Sequence, residues 1–322
     1  MKTAARTDEA PRWNRLSDYF LLGHGERVHK IPLDAGFSCP NRDGTLSRGG
    51  CVFCNPLGSG TGLGMTGGLS LAEQWQTRRS RLLARGVRRF IAYLQSFSNT
   101  YGPVAKLAAV LAEIKSLPDL VGVAVGTRPD CVDEEKIALI ARETKSMAER
   151  WVEFGVQSAS DATLARINRG HDIACAERAV AMAHRAGLKV CVHLIAGLPG
   201  ESGADFAESV RWVSRQPVSG VKFHGLYVCR GTALAKAHAK GDYRPLGQEE
   251  YVAMLADALP LLRPDIVVQR MTGDAGSDEL IAPGWAARSR ETGNLILAEM
   301  TRRDVRQGQA CAETGVYATG RE

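Results

Sequence analysis

The chain lacks any apolar run long enough to suggest a membrane span. Its longest nearly apolar stretch, VCVHLIAGLPG from Val190, carries a histidine and ends in Gly-Leu-Pro-Gly, well short of the roughly 18–20 residues that cross a bilayer. The opening MKTAARTDEAPRWNRLSDYF also lacks the apolar core of about 7–15 residues that an export signal needs, so the sequence predicts a cytoplasmic protein. Aromatic residues are few, at 6% of 322, and no internal repeat is evident. A phosphate-binding loop is missing too. The glycine-rich LGSGTGLGMTGG, Leu57 to Gly68, has no Gly-Lys-Ser/Thr ending and no strand directly before it, so it reads as a connector.

Charge is not extreme. The formal net charge is +6, with a local excess in TRRSRLLARGVRRF, Thr77 to Phe90, where Arg78, Arg79, Arg81, Arg85, Arg88 and Arg89 crowd one helix and its exit. Such a run is either a solvated helix face or a contact for nucleic acid. Eight cysteines in a chain of this length, with no export signal, argue for reduced thiols or metal ligands rather than a disulfide framework.

From Arg88 onward short β-rich runs alternate with helical stretches: RRFIAYLQSF, LVGVAVGT, WVEFGVQS, LKVCVHLIAGL and SGVKFHGLYV are each followed by a helical segment. With RVHKIPLDAG as the first strand, six strand–helix units emerge. Strict alternation implies a parallel sheet with right-handed crossovers, and runs rich in Val, Ile and Leu imply strands buried on both faces. The predicted fold is therefore α/β, a partial (β/α)6 TIM-like barrel with a C-terminal extension. Chemistry in such folds gathers at the carboxyl ends of the strands. There the sequence places a cysteine loop after strand one, QSFSNTYG after strand two, GTRPD after strand three, GVQS after strand four and GLPGE after strand five.

The cysteine loop is CPNRDGTLSRGGCVFC, with Cys39, Cys51 and Cys54 spaced as Cys-x11-Cys-x2-Cys. Thiolates select zinc, copper(I) or iron–sulfur clusters. A structural zinc site normally closes with four ligands, and His29 and Cys131 are poorly placed to supply the fourth. Three thiolates suit a four-iron cluster that keeps one iron open for the amino and carboxylate groups of S-adenosylmethionine (SAM). A redox dithiol and a zinc clip remain competing readings of the Cys-x2-Cys pair. Gly44, Gly49 and Gly50 would let the backbone wrap closely around a bulky group. Cys131, Cys175, Cys191, Cys229 and Cys311 stand apart from one another and read as small apolar residues.

The stretch HKIPLDAGFSCPNRDGTLSRGGCVFCN, together with YLQSFSNTY, GTRPDC, EFGVQSASDATLARINRGHD, HLIAGLPGE and QRMTGD, resembles the radical SAM superfamily, in particular its Elp3-like branch and the YhcC/YtqA-type family. The resemblance spans about residues 25–295, framed by an N-terminal extension over 1–24 and a C-terminal tail over 296–322. It implies a [4Fe-4S] cluster on Cys39, Cys51 and Cys54, and SAM contacts from Gln95, Ser96, Ser98, Glu153, Gln157, Arg169 and His193. Arg169 suits the methionine carboxylate because a guanidinium binds carboxylates as a planar fork. Glu153 has an alternative reading as a satisfied structural carboxylate, and His193 as a core histidine.

The resemblance further implies reductive SAM cleavage to a 5′-deoxyadenosyl radical that abstracts hydrogen from an unreactive C–H bond, with flavodoxin or ferredoxin as electron donor. Elp3-like relatives include enzymes that act on tRNA, so modification of wobble uridine in tRNA is the leading expectation. The alternative substrate is a small anionic metabolite, for which Lys222, His224, Arg270 and Asp274 are the candidate catalytic residues; Arg230 lies in the same stretch. A noncatalytic, metal-stabilised RNA-binding protein is the third reading.

Overall fold

The computed structural model describes residues 11–55, 58, 68–273 and 278–311. Seven strands form one parallel sheet: β1 (Val28–Leu33), β2 (Arg89–Leu94), β3 (Leu120–Thr127), β4 (Glu149–Gln157), β5 (Lys189–Ala196), β6 (Gly220–Gly225) and, beyond a short β7 (Val228–Cys229), the edge strand β8 (Val267–Arg270). The order is β1-β2-β3-β4-β5-β6-β8. The first six are those the alternation predicts. The last comes from VVQR, a run of four residues with little pattern of its own, which parallel pairing with β6 fixes through Gly220 and Val267. Strand β7 pairs instead with β9 (Leu280–Ala282), antiparallel.

The helices are α1 (Leu16–His24), α2 (Leu71–Leu83), α3 (Val104–Lys115), α4 (Glu134–Glu143), α5 (Asp161–Arg166), α6 (Ile173–Arg185), α7 (Gly203–Arg215), α8 (Ala233–Lys240), α9 (Gln248–Ala258) and α10 (Ser289–Arg302). Their starts are written in the sequence. Ser70 with Glu73 and Ser202 with Asp205 form reciprocal capping boxes, and Asp133, Ser160, Asp172 and Thr232 each accept a bond from a first-turn amide.

Alternation along the strands sends Val123, Val125, Val152, Phe154, Val190 and Val192 to the convex side, into one core with the outer helices. The other face is concave. Lys30 on β1 donates to Glu153 on β4 and to Gln269 on β8, each at 2.6 Å. Strands in a flat sheet are about 4.8 Å apart, so these three could meet only if the sheet curls into a partial barrel.

The segment preceding β1 closes the lower end of that curl. Val268 N donates to Asn14 O at 2.8 Å, and α1 lays the buried Phe20 against Ile91, Trp151 and Cys191, burial of the kind that contributes about 1.5–3 kcal/mol for one large side chain. Glu149 ties the plug down, accepting from Tyr19 Oη at 3.1 Å, Trp151 Nε1 at 2.6 Å and Lys189 Nζ at 3.1 Å. At the other end of the chain α10 runs through residue 295, with Ile296 and Met300 fully buried, and Gln307 reaches Ile266 O and the Asn14 amide. Residues 12–24 and 296–307 are thus packed parts of the barrel, because each buries apolar or hydrogen-bonded groups against it.

The arginine run is placed differently from a docking surface for the barrel mouth. Helix α2 runs antiparallel to the strands, so its C-terminal turn, Arg85, Arg88 and Arg89 lie toward the amino ends of the strands. Arg79 pairs with Asp119 and Arg89 with Glu26, which neutralises part of the excess.

Candidate active site

Cys39, Cys51 and Cys54 come together over the carboxyl ends of the strands, on the rim of a cavity that descends into the barrel. The long Cys39-to-Cys51 spacing has a structural cause. Gly50 N donates to Asn41 O at 2.7 Å and Leu46 N to Pro40 O at 2.8 Å, so residues 42–49 loop out from a neck at Asn41 and Gly50. The two thiols flanking that neck behave as close neighbours despite eleven intervening residues. Gly50 turns the neck at φ +70°, a conformation that costs glycine little.

The neck is strapped to the turn after α5. Asn41 Nδ2 donates to Asn168 O at 2.6 Å, Asn168 Nδ2 to Gly50 O at 2.7 Å, and Val52 N to Ile167 O at 3.1 Å. The sulfurs receive donors from the same scaffold: Arg42 Nη1 is 3.4 Å from Cys54 Sγ, Arg169 Nη1 is 3.4 Å from Cys51 Sγ, and Asn41 Nδ2 is 3.7 Å from Cys51 Sγ. Burial pushes the Cys54 thiol up to about 11, against the pull of Arg42; a bound metal would reverse this, since coordination deprotonates a thiol.

Beside the cysteines, two side chains pack closely over the end of β4 at Gly155. Arg169 Nη2 donates to Gly155 O. Gln157, at φ +79°, folds back over the same glycine. A methyl group on Gly155 would lie 2.7 Å from Gln157 Nε2 and 3.0 Å from Arg169 Nη2. A non-glycine residue in the left-handed region is held there only when its surroundings demand it, as at ligand clamps. Arg169 is 6% exposed, and its Nε is buried with no hydrogen-bond partner.

Deeper in the barrel lies a charged layer. The fully buried Glu153 accepts from Lys30 at 2.6 Å, from His193 Nε2 at 2.9 Å and from Lys222. Burial pushes its carboxyl up, but Lys222 and Lys30 outweigh burial and hold it well below the usual range. Burial, reinforced by Lys222, lowers His193 to about 4, and burial with Arg270 lowers His224 well below its ordinary value. Both imidazoles are neutral at physiological pH. Glu153, Cys191 and His193 stand close enough to suggest a metal triad, yet two ammonium groups already occupy the carboxylate and repel a cation.

Of the residues singled out from sequence, the cavity gathers Gln95, Glu153, Gln157, Arg169, His193, Lys222, His224 and Arg270 along with the three cysteines. Ser96 and Ser98 do not border it. The Ser98 hydroxyl is engaged with Thr127 Oγ1 at 2.8 Å and accepts from Arg128 N at 3.3 Å, tying the ends of β2 and β3 together. Asp274 lies outside the described residues. Arg230 donates to Asp278 O. Sequence reasoning missed Lys30, Asn41, Arg42, Tyr93 and Cys229. For Lys30 there was a signal, a charged residue at an inward position of a strand otherwise made for burial.

Residues 45–213 match the family model described as Radical SAM superfamily, and residues 218–302 that described as Radical_SAM C-terminal domain. The chain belongs to the radical SAM superfamily and is a radical SAM enzyme. It is 37% identical over 295 residues to Protein YhcC of Escherichia coli, covering 89% of this chain and 91% of that one, and 36% identical over 294 residues to YtqA of Bacillus subtilis, covering 91% of each. A tRNA uridine(34) acetyltransferase of Dehalococcoides mccartyi is 28% identical over 176 residues, 52% of this chain and 38% of its own. In fold the chain resembles Elp3 of Methanocaldococcus infernus, with a TM-score of 0.68 at 17% identity over 91% of this chain and 68% of that structure. Among the described residues no helix is long and apolar enough to cross a membrane.

Proposed function

We propose that Cys39, Cys51 and Cys54 hold a [4Fe-4S] cluster with one open iron, and that Gln157 and Arg169 hold SAM beside it for hydrogen-atom abstraction from a tRNA nucleoside, wobble uridine being the leading candidate. The observation that carries the cofactor reading is the convergence of the three thiols with Gly155, Gln157 and Arg169 on one cavity rim. The donor set fits the cofactors: three soft thiolates leave one iron of such a cluster vacant, and a guanidinium is suited to a carboxylate.

When bound, the cluster and SAM supply an electron and a 5′-deoxyadenosyl radical. The protein's own part is positional. Arg42, Asn41 and Arg169 offset the negative charge of the thiolates. Gly155, having no side chain, lets Gln157 and Arg169 close over the end of β4. The Gln95 side chain, after β2, is a further candidate SAM contact on the cavity wall. His193 and Glu153, engaged with each other and with lysines, serve as the wall and floor beneath the cofactor rather than as free ligands. The reductant is a small electron carrier such as flavodoxin or ferredoxin.

Arg169→Lys keeps the charge and loses the planar fork. SAM affinity should weaken by about 1–3 kcal/mol, the scale of a charge-assisted hydrogen bond, with iron content unchanged; unaltered affinity by calorimetry would remove Arg169 from the SAM site.

The similarity to the tRNA uridine(34) acetyltransferase supports an RNA substrate. Nucleoside mass spectrometry of tRNA from cells with and without the protein tests it. A uridine derivative that accumulates or vanishes on deletion is the expected outcome, and identical nucleoside profiles would count against tRNA.

A further inference from the structure

Two of the three thiols in the cysteine loop have a guanidinium donor in view. Arg42 Nη1 lies 3.4 Å from Cys54 Sγ, and Arg169 Nη1 lies 3.4 Å from Cys51 Sγ. Cys39 Sγ meets no such donor among the described residues. The side chain placed to serve it is Arg128, the first residue after β3. Arg128 borders the same cavity as Cys39 and Cys51, and its side chain is 3% exposed.

Of the five donor hydrogens of a guanidinium, three are committed at Arg128. Nε and Nη2 fork onto Asp130 at 2.8 and 2.7 Å, and Nη2 also donates to Arg169 O at 2.6 Å. These bonds fix the plane of the group. They leave the buried Nη1 with no hydrogen-bond partner among the described residues. Asn41 Oδ1 is buried and unpartnered too, but Asn41 is turned by its Nδ2 bonds to Asn168 O and Arg169 O and does not take this donor. A buried donor left unmade is costly, and a charged one more so. Burial works against the charge on Arg128, but its bonds to Asp130 and the Asp130 charge, followed by the thiolates of Cys39 and Cys51, hold it above its ordinary value. Cys39 therefore lies within the field of this guanidinium.

We infer that Arg128 directs Nη1 at the Cys39 side of the bound cluster, donating to the Cys39 thiolate or an adjoining sulfide, and that it sets how readily the cluster accepts an electron. This rests on the proposed four-iron reading of Cys39, Cys51 and Cys54. Hydrogen bonds to the sulfurs and the charge beside a cluster govern its potential. Reduction adds negative charge, so a fixed cationic donor stabilises the reduced form more than the oxidised one and raises the potential. Asp130 holds the guanidinium in place and offsets part of its charge, so the effect depends on where Nη1 points.

The test is the midpoint potential of the anaerobically reconstituted full chain, followed by electron paramagnetic resonance through a reductive titration. It is made without SAM, so that any effect of Arg128 on Arg169 and SAM binding does not enter. Arg128→Met removes the donor and keeps an unbranched stem. It should make reduction about tenfold less favourable, a potential ~59 mV lower for one electron. Arg128→Lys keeps a cation but loses the fork, and should fall between the parent and Arg128→Met. Loosened packing alone would act in the opposite direction, because water reaching the site favours the more highly charged reduced form. Iron content and the unfolding midpoint show that each variant is loaded and folded. Variants with the parent's potential, or a higher potential in Arg128→Met, would overturn the inference. If Arg128→Met takes up no iron, Arg128→Lys decides: a lowered potential supports the role, and the parent's value overturns it. A parent that holds no four-iron cluster removes the proposed function and the role of Arg128 with it, whereas four irons with unaltered potentials in the variants remove the role of Arg128 alone.

Discussion

Replacing Cys51 with alanine is expected to reduce SAM cleavage to background and to leave iron well below the roughly four atoms per chain of a complete cluster. The protein should remain folded. Cys51 is buried at 6% exposure, but the neck that positions it is closed by the backbone of Asn41 and Gly50 and strapped by Asn168, and the thiol itself meets only long contacts, from Arg169 Nη1 at 3.4 Å and Asn41 Nδ2 at 3.7 Å. Deleting one small side chain there should therefore cost little stability, and the far-ultraviolet spectrum should be unchanged. Cys39→Ala and Cys54→Ala should behave alike. Cys131→Ala is the control, because that residue is buried and does not line the cavity, so the iron should stay in place. Full activity in anaerobically reconstituted Cys51→Ala would break the assignment.

The second large effect concerns stability. Glu153→Leu should cost about 3–5 kcal/mol of unfolding free energy, the penalty for leaving buried cations without their partner, measured by denaturant titration. The reason is that Lys30 and Lys222 both reach this one carboxylate. The double variant Lys30→Met/Glu153→Leu should regain part of the loss, since removing both members of a buried pair is far cheaper than removing one.

The pH dependence follows with a definite sign. The folded carboxyl lies well below its ordinary 4.5 because, despite burial, Lys222 and Lys30 favour its charged form. Its contribution to stability is present above that unfolded value and is lost as pH falls through the folded one. The parent should therefore lose this contribution only in acid below about 4.5, and Glu153→Leu should show a flatter acid limb. An equally steep limb in the variant would show that other carboxylates, such as Glu149, dominate acid unfolding.

Much of the sheet was legible because buried parallel strands announce themselves by composition. LVGVAVGT and LKVCVHLIAGL can satisfy their apolar side chains only between a helical layer and the barrel interior, and helix starts such as Ser202 and Asp172 carry their caps in sequence. Strand β8 was not legible: four residues, two of them polar, become a strand only because β6 offers a free edge. The three thiols were readable from type and spacing, but the reason for the long spacing was not, since the bond between Gly50 N and Asn41 O is a property of the folded neck.

Side-chain direction was the least legible feature. Ser98 and Gln95 lie three residues apart in one motif, yet Gln95 borders the cavity while Ser98 turns to Thr127. Lys30 meets Glu153 only after the sheet curls, a relation between β1 and β4 that no local pattern encodes. The arginines near Thr77 showed their charge in sequence but not their position; antiparallel packing of α2 carries the end of that run away from the cavity, and Asp119 and Glu26 neutralise two of its members.

The most direct test of the account is anaerobic reconstitution of the unaltered chain with iron and sulfide, followed by SAM and a low-potential reductant. It predicts about four irons and four sulfides per chain, a change in the cluster's electron paramagnetic resonance spectrum on adding SAM, and release of methionine with 5′-deoxyadenosine. A single tightly held zinc, with no response to SAM and no 5′-deoxyadenosine, would contradict it.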